Sequence, residues 1–157
     1  MLLILDIDGV MTDGTKTYDK HGDVSHKKYC DLDFTAIKRF KESGWDVCFV
    51  SEDTVVNHGM GRKRKIDFYH CGQRESSTDK SIVLPEIMKK YNAKKKDIIY
   101  VGDDVHDLTL MRKVGKAFCV QNSPQIVKKE IESLPAKSGE GVVKILFDII
   151  VERVKNE

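Results

Sequence analysis

Five aspartates and two other side chains fall at positions where they could act together. Asp6 and Asp8 flank Ile7 just after the apolar run Leu2–Leu5. Asp103 and Asp104 follow Gly102 at the end of a second apolar run, and Asp107 stands one helical turn further on. Ser51 closes a third apolar run, Val47–Val50, and Lys80 lies near the start of an amphipathic stretch. If the three runs are strands of a parallel sheet, their carboxyl ends share one edge and the carboxylates converge there. Five carboxylates cannot stay ionised in one small space without a counter-charge. Oxygen-only donors of such charge density suit Mg²⁺. Carboxylates, a divalent cation, a hydroxyl and a lysine are the parts of a phosphoryl-transfer site. Ser51 and Lys80 would hold phosphate oxygens as charge shifts in the transition state. One aspartate of the Asp6/Asp8 pair would attack phosphorus and form an aspartyl-phosphate. The other would protonate the leaving alkoxide and then deprotonate water.

The elements that must position these groups alternate in type. Leu2–Ile7 reads as a buried strand. Thr15–Tyr18 and Val24–Tyr29 flank the turn Asp19-Lys20-His21-Gly22-Asp23 and predict a hairpin. Asp33 reads as the N-cap of a helix carrying Phe34, Ile37 and Phe40 and stopping at Gly44. Strands are expected at Asp46–Ser51, Ile66–Cys71, Asp97–Gly102 and Lys116–Val120. Helices are expected at Thr54–Lys65, Thr78–Tyr91 (perturbed by Pro85), Val105–Val114, Gln125–Ser133 and Gly141–Lys155. Strand–helix alternation predicts an α/β fold, a Rossmann-like parallel sheet with helices on both faces. The 45 positions from 6 to 51 hold a hairpin, a helix and a strand, and the 29 from 51 to 80 hold less. Neither interval has room for a cap domain. The reading is one domain over residues 1–157 with a small hairpin flap at about 14–30.

The ordered set Asp6-Ile7-Asp8-Gly9-Val10-Met11-Thr12-Asp13-Gly14, Ser51, Lys80 and Gly102-Asp103-Asp104-Val105-His106-Asp107 resembles the four motifs of the haloacid dehalogenase superfamily. The resemblance runs over nearly the whole chain. It implies Asp6 as nucleophile and metal ligand, and Asp8 as general acid/base binding the metal through its backbone carbonyl. It further implies Ser51 and Lys80 as phosphate-binding groups, Asp103 as the third metal anchor, and Asp104 and Asp107 as metal-site support. An acid/base at Asp8 argues for a phosphatase rather than a dehalogenase. Within the superfamily the first motif, the hairpin and Gly139-Glu140-Gly141-Val142-Val143 resemble the capless 3-deoxy-D-manno-octulosonate 8-phosphate phosphatase group, which includes nonulosonate 9-phosphate phosphatases. Members of that group are typically homotetramers whose hairpins and C-terminal tails complete neighbouring sites. The same is expected here.

The chain departs from that group's pattern at three points. Ser51 is followed by Glu52-Asp53 instead of Gly-Arg, Leu32-Asp33-Phe34 stands where Arg-Asp-Gly is usual, and Lys144 replaces a tail arginine. A lysine does not replace the bidentate fork of an arginine. Glu52, Asp53 and Lys144 are therefore the candidates for substrate specificity, and a non-acidic polyol or amino-alcohol phosphate becomes an alternative to an acidic keto-sugar phosphate.

Composition excludes other classes. With 27 Lys and Arg against 25 Asp and Glu, the net charge is +2, too balanced for a dedicated nucleic-acid binder. The run Leu2–Leu5 is too short for a signal or a membrane span, which points to a cytoplasmic protein without membrane contact. Cys30, Cys48, Cys71 and Cys119 form no CxxC pair and read as reduced thiols. The expected activity is Mg²⁺-dependent hydrolysis of a small sugar-like phosphate ester, in bacterial surface-polysaccharide precursor synthesis by family inference. A catalytically silent scaffold and a receiver-like signalling domain are the readings from other classes.

Overall fold

A computed structural model describes residues 1–72 and 79–155 of the chain. Six strands form one parallel sheet: β1 (Leu2–Leu5), β4 (Asp46–Ser51), β5 (Asp67–His70), β6 (Ile98–Gly102), β7 (Lys116–Cys119) and β8 (Glu132–Ser133). Their order is β5-β4-β1-β6-β7-β8, and every neighbouring pair is parallel. The residue alternation of a strand sorts the apolar runs onto two faces. Leu3, Leu5, Val47, Phe49, Ile99 and Val101 enter one hydrophobic cluster. Leu2, Ile4, Cys48, Val50, Ile98 and Tyr100 enter the other. Burial on both faces is why these strands read as unbroken apolar runs.

Helices cover both faces. On the first lie α1 (Asp31–Glu42) and α6 (Val142–Lys155), with the Phe40 and Phe147 rings edge to face at 4.8 Å. On the second, α3 (Leu84–Tyr91) and α4 (Leu108–Met111) contribute Leu84, Ile87, Leu108 and Leu110. α2 (Asn57–Arg64) and α5 (Gln125–Lys128) are short connections. A separate antiparallel hairpin, β2 (Thr17–Tyr18) and β3 (Val24–His26), rises between β1 and α1, and an isolated Thr12–Tyr29 bridge closes its base. Among the described residues there is no cap domain. Among the described residues no helix is long and apolar enough to cross a membrane.

Several elements differ from the sequence reading, each for a local reason. Asp33 is not the N-cap of its own helix. α1 starts three residues earlier, after Cys30, and Asp33 is fully buried in its first turn. Its Oδ1 accepts hydrogen bonds from the amides of Val143 (2.8 Å) and Lys144 (3.0 Å), so it caps α6 across 110 residues of chain. The expected helix 54–65 begins only at Asn57, because Val56 has φ 64° and breaks the helical path. Pro85 sits in the first turn of α3, where its missing N–H costs nothing, and so starts that helix instead of perturbing it. A 3₁₀ turn, Lys80–Val83, precedes it, and the expected start at Thr78 lies outside the described residues. The expected helix 105–114 is a 3₁₀ turn, Val105–Asp107, followed by α4. The expected helix 125–133 stops at Lys128, and Glu132–Ser133 forms the edge strand β8 beside β7.

Candidate active site

β1 delivers Asp6 to the carboxyl edge of the sheet, where its amide donates to the Val101 carbonyl of β6. The chain then folds sharply. The amides of Val10, Met11 and Thr12 all converge on the Ile7 carbonyl at 2.8–3.1 Å. This turn carries Gly9 at φ 88° against Asp103, where any Cβ would overlap the Asp103 carboxylate. Glycine is thus required twice here, for the backbone and for the close approach. Thr12 Oγ1 fastens the loop by accepting from the Gly9 and Gly14 amides, and it donates to Asp8 Oδ1 at 3.4 Å.

Lys80 is buried and bridges two carboxylates, with Nζ 2.8 Å from Asp6 Oδ2 and 2.7 Å from Asp107 Oδ1. Asp107 is fully enclosed. Its Oδ1 also accepts from Tyr100 Oη (2.6 Å), and its Oδ2 from the amides of Asp103 (2.7 Å) and Asp104 (3.0 Å). Burial opposes the Asp107 charge, but Lys80, the Asp104 amide and Tyr100 outweigh it and hold this carboxyl below the usual range. Asp6 and Asp103 move the other way. Burial lifts Asp6 to about 7 against the pull of Lys80, and burial with the nearby Asp6 and Asp107 charges lifts Asp103 to about 8. Two buried carboxylates and the half-buried Asp103 share one ammonium, and only Asp107 is fully compensated.

A second network faces this one. Lys27, whose side chain is fully buried, joins Asp8 Oδ2 (2.8 Å) to Asp53 Oδ2 (2.9 Å). Lys16 meets the same Asp53 oxygen at 2.7 Å. Asn57 Nδ2 donates to Asp8 Oδ2 and to Ser51 Oγ, and Tyr29 Oη donates to Asn57 Oδ1. Between the networks lies a cavity of about 350 Å³ lined by Asp6, Asp8, Ser51, Lys80 and Asp103, with Glu52, Asp53, Asp104, His106 and Lys16 toward its rim. Nearly all the sequence candidates are therefore gathered in one place. Lys144 is the exception. It does not line the cavity and pairs with Asp148 one turn along α6 at 2.6 Å.

The sequence reading missed Lys16, Lys27, Tyr29, Asn57 and Tyr100. Lysines and a tyrosine in a hairpin look like ordinary solvated residues, and Asn57 resembles a helix start. Only the fold-back of the hairpin onto the β4–α2 loop reveals these four, whereas Tyr100 enters from within β6, where a tyrosine reads as core. The cysteines behave as expected: all four are free, and Cys48, Cys71 and Cys119 are buried.

The donor set fits a hard divalent cation. Carboxylate oxygens of Asp6, Asp103 and Asp107 lie within 4.8 Å of one another. Asp107 has its oxygens occupied by Lys80, Tyr100 and two amides, which makes it a support instead of a ligand. The Asp103 carboxylate accepts no hydrogen bond from the described residues, and the uncompensated charge it shares with Asp6 is what a divalent ion would neutralise.

The family model for haloacid dehalogenase-like hydrolases matches residues 74–146. The 3-deoxy-D-manno-octulosonate 8-phosphate phosphatase of Haemophilus influenzae is 27% identical over 152 residues, covering 96% of this chain and 82% of that protein. Over these stretches the chain resembles the haloacid dehalogenase superfamily. Within it, the solved cobalt-bound form of the Haemophilus influenzae octulosonate phosphatase superposes with a TM-score of 0.86 at 26% identity, over 96% of this chain and 86% of that one. The Moraxella catarrhalis octulosonate phosphatase, solved with a magnesium ion, a phosphate ion and a KDO molecule, has a TM-score of 0.84 at 23% identity over 96% and 85%, a likeness of fold. These likenesses support a phosphatase.

Proposed function

We propose that this phosphatase is a Mg²⁺-dependent phosphomonoesterase acting on a small sugar-like phosphate through an aspartyl-phosphate. The observation that carries the reading is the Lys80 bridge between Asp6 and Asp107, facing Asp8 and Ser51 across one cavity. Asp6, Asp103 and the Asp8 backbone carbonyl would hold a Mg²⁺, which would supply charge neutralisation between the anionic nucleophile and the phosphate. An Asp6 carboxylate oxygen attacks phosphorus and the ester P–O bond breaks. The departing alkoxide takes the proton from the Asp8 carboxyl and leaves as the alcohol. Asp8 then removes a proton from water, whose oxygen attacks phosphorus, and the bond to Asp6 breaks to release phosphate. Ser51 Oγ and Lys80 Nζ hold the non-bridging oxygens. Asp107 fixes Lys80 and the Asp103 and Asp104 amides, and Asp104 caps the 3₁₀ turn after them.

The relatives' names support a keto-sugar acid as the leaving group. One observation favours the alternative, a neutral or amino-bearing polyol: Lys16 and Lys27 are already paired with Asp53 and Asp8, and exposed Glu52 stands at the rim. Asp53 thereby serves the hairpin, which leaves Glu52 as the stronger specificity candidate. The proposal further takes residues 1–157 as one cytoplasmic domain with the 14–30 hairpin as flap. In the proposed homotetramer, Lys144 reaches a neighbouring site from the C-terminal tail. The setting is bacterial surface-polysaccharide precursor synthesis.

The test is phosphate release from octulosonate, nonulosonate, hexose, heptose and amino-alcohol phosphates, with Mg²⁺ and with EDTA. The proposal expects Mg²⁺-dependent turnover concentrated in one sugar-like or polyol class. Equal activity in EDTA, or no release from any member, contradicts it.

A further inference from the structure

The amide of Asn57 is fully buried and every one of its polar positions is used. Nδ2 donates to Asp8 Oδ2 at 2.9 Å and to Ser51 Oγ at 3.2 Å, and Oδ1 accepts from Tyr29 Oη at 2.6 Å. The tyrosine sets the orientation. Turning the amide over would place its oxygen against the Asp8 carboxylate and its hydrogens against the Tyr29 hydroxyl. The backbone is also committed to this placement. Val56, a β-branched residue, is held at φ 64°, ψ −47°, and the Asn57 amide closes a three-residue turn onto the Val55 carbonyl at 2.7 Å. A β-branched residue at positive φ is strained, and such strain persists where surrounding contacts over-determine it. Nothing in α2 itself requires a buried amide at its first residue, and the residues it does contact come from the turn after β1, from β4 and from the hairpin segment.

We propose that Asn57 is a positioning residue that holds the Asp8 carboxyl and the Ser51 hydroxyl in their working places, with Tyr29 fixing its amide. The inference rests on the reading of Asp8 as general acid. Asn57 does not line the cavity and acts only through Asp8 and Ser51. A misplaced acid matters most where the leaving group is a strong base and needs the proton early in bond cleavage. A displaced Ser51 lowers phosphate binding whatever the leaving group.

The experiment compares kcat/KM on p-nitrophenyl phosphate and on phenyl phosphate, esters of like shape whose phenolates differ in basicity. Asn57→Ala is expected to lose about 10-fold on the nitrophenyl ester and about 10-fold more again on the phenyl ester. Tyr29→Phe, which keeps the ring beside Phe34, is expected to shift the ratio in the same sense by a smaller factor. Tyr29→Phe also carries the test if Asn57→Ala fails to fold. An equal loss on both esters in Asn57→Ala and Tyr29→Phe would show a general structural role and overturn the proposal. Asp8→Asn separates the two readings. If it loses the phenyl ester selectively while Asn57→Ala and Tyr29→Phe do not, this inference alone fails. If Asp8→Asn keeps the wild-type ratio, the assignment of Asp8 fails and takes this inference with it.

Discussion

Replacing Asp107 by Asn keeps the shape of the side chain and removes its ability to accept at both ends. One oxygen remains, so either the Tyr100 hydroxyl and Lys80 ammonium or the Asp103 and Asp104 amides must face an NH₂ group. Two hydrogen bonds to a buried charge are lost, each worth about 1.5–3 kcal/mol. An opposing effect limits the damage. Asp6 lies 2.8 Å from the same ammonium and, freed from its negative neighbour, takes over as counter-charge. The net expectation is a loss of about 2–4 kcal/mol, or about 4–16 °C in Tm for a domain of this size. Thermal unfolding in EDTA measures it without a metal contribution. The sign with pH is fixed as well. The folded Asp107 carboxyl lies below its unfolded value, so its stabilisation is present above the unfolded pKa of about 3.9 and is lost as pH falls through the folded one. The gap between wild type and variant should therefore shrink in acid. A gap under about 1 kcal/mol at neutral pH would refute the view that Asp107 organises the site.

Asp33 carries the opposite pH signature. Burial lifts its carboxyl to about 6 against the Lys144, Val143 and Val142 amides, so the folded state holds the proton more tightly. Wild-type stability should fall by roughly 2–4 kcal/mol as pH rises through the window from about 4 to 6, and Asp33→Asn, which keeps the Oδ1 acceptor, should flatten that slope in urea titrations. Gly9→Ala forces a Cβ onto Asp103 at a φ of 88°; the expected result is a stability loss of about 1–3 kcal/mol together with weakened Mg²⁺ stabilisation in thermal shift. Asp53→Ala releases Lys16 and leaves Lys27 only its Asp8 partner, and limited proteolysis should then cut within 14–30 faster than in wild type.

The sheet was legible because Leu2–Leu5, Val47–Val50 and Ile98–Val101 are buried on both faces and so appear as continuous apolar runs ending in chemistry. Asp6, Asp8, Ser51, Lys80 and Asp103 could be found for the same reason: strand ends and helix starts are local features, and a common edge makes them meet. Asp33 was misread because an aspartate before a helical pattern looks like that helix's own cap. Its true partner, the start of α6, is 110 positions away. Lys16, Lys27 and Asn57 depend on how the hairpin folds back over the β4–α2 loop, which no periodicity encodes. β8 is a two-residue edge strand, below the length at which alternation can be seen.

The central claim is that Asp6 carries the phosphoryl group. The most direct measurement is mass spectrometry of acid-quenched Asp8→Asn enzyme turning over p-nitrophenyl phosphate with Mg²⁺, since loss of the base slows hydrolysis of the intermediate while a good leaving group still departs. The account predicts a phosphoryl adduct on the peptide containing Asp6, removed by hydroxylamine and absent from Asp6→Asn/Asp8→Asn. An adduct on any other residue, or phosphate release by the Asp6→Asn enzyme at the wild-type rate, would contradict it.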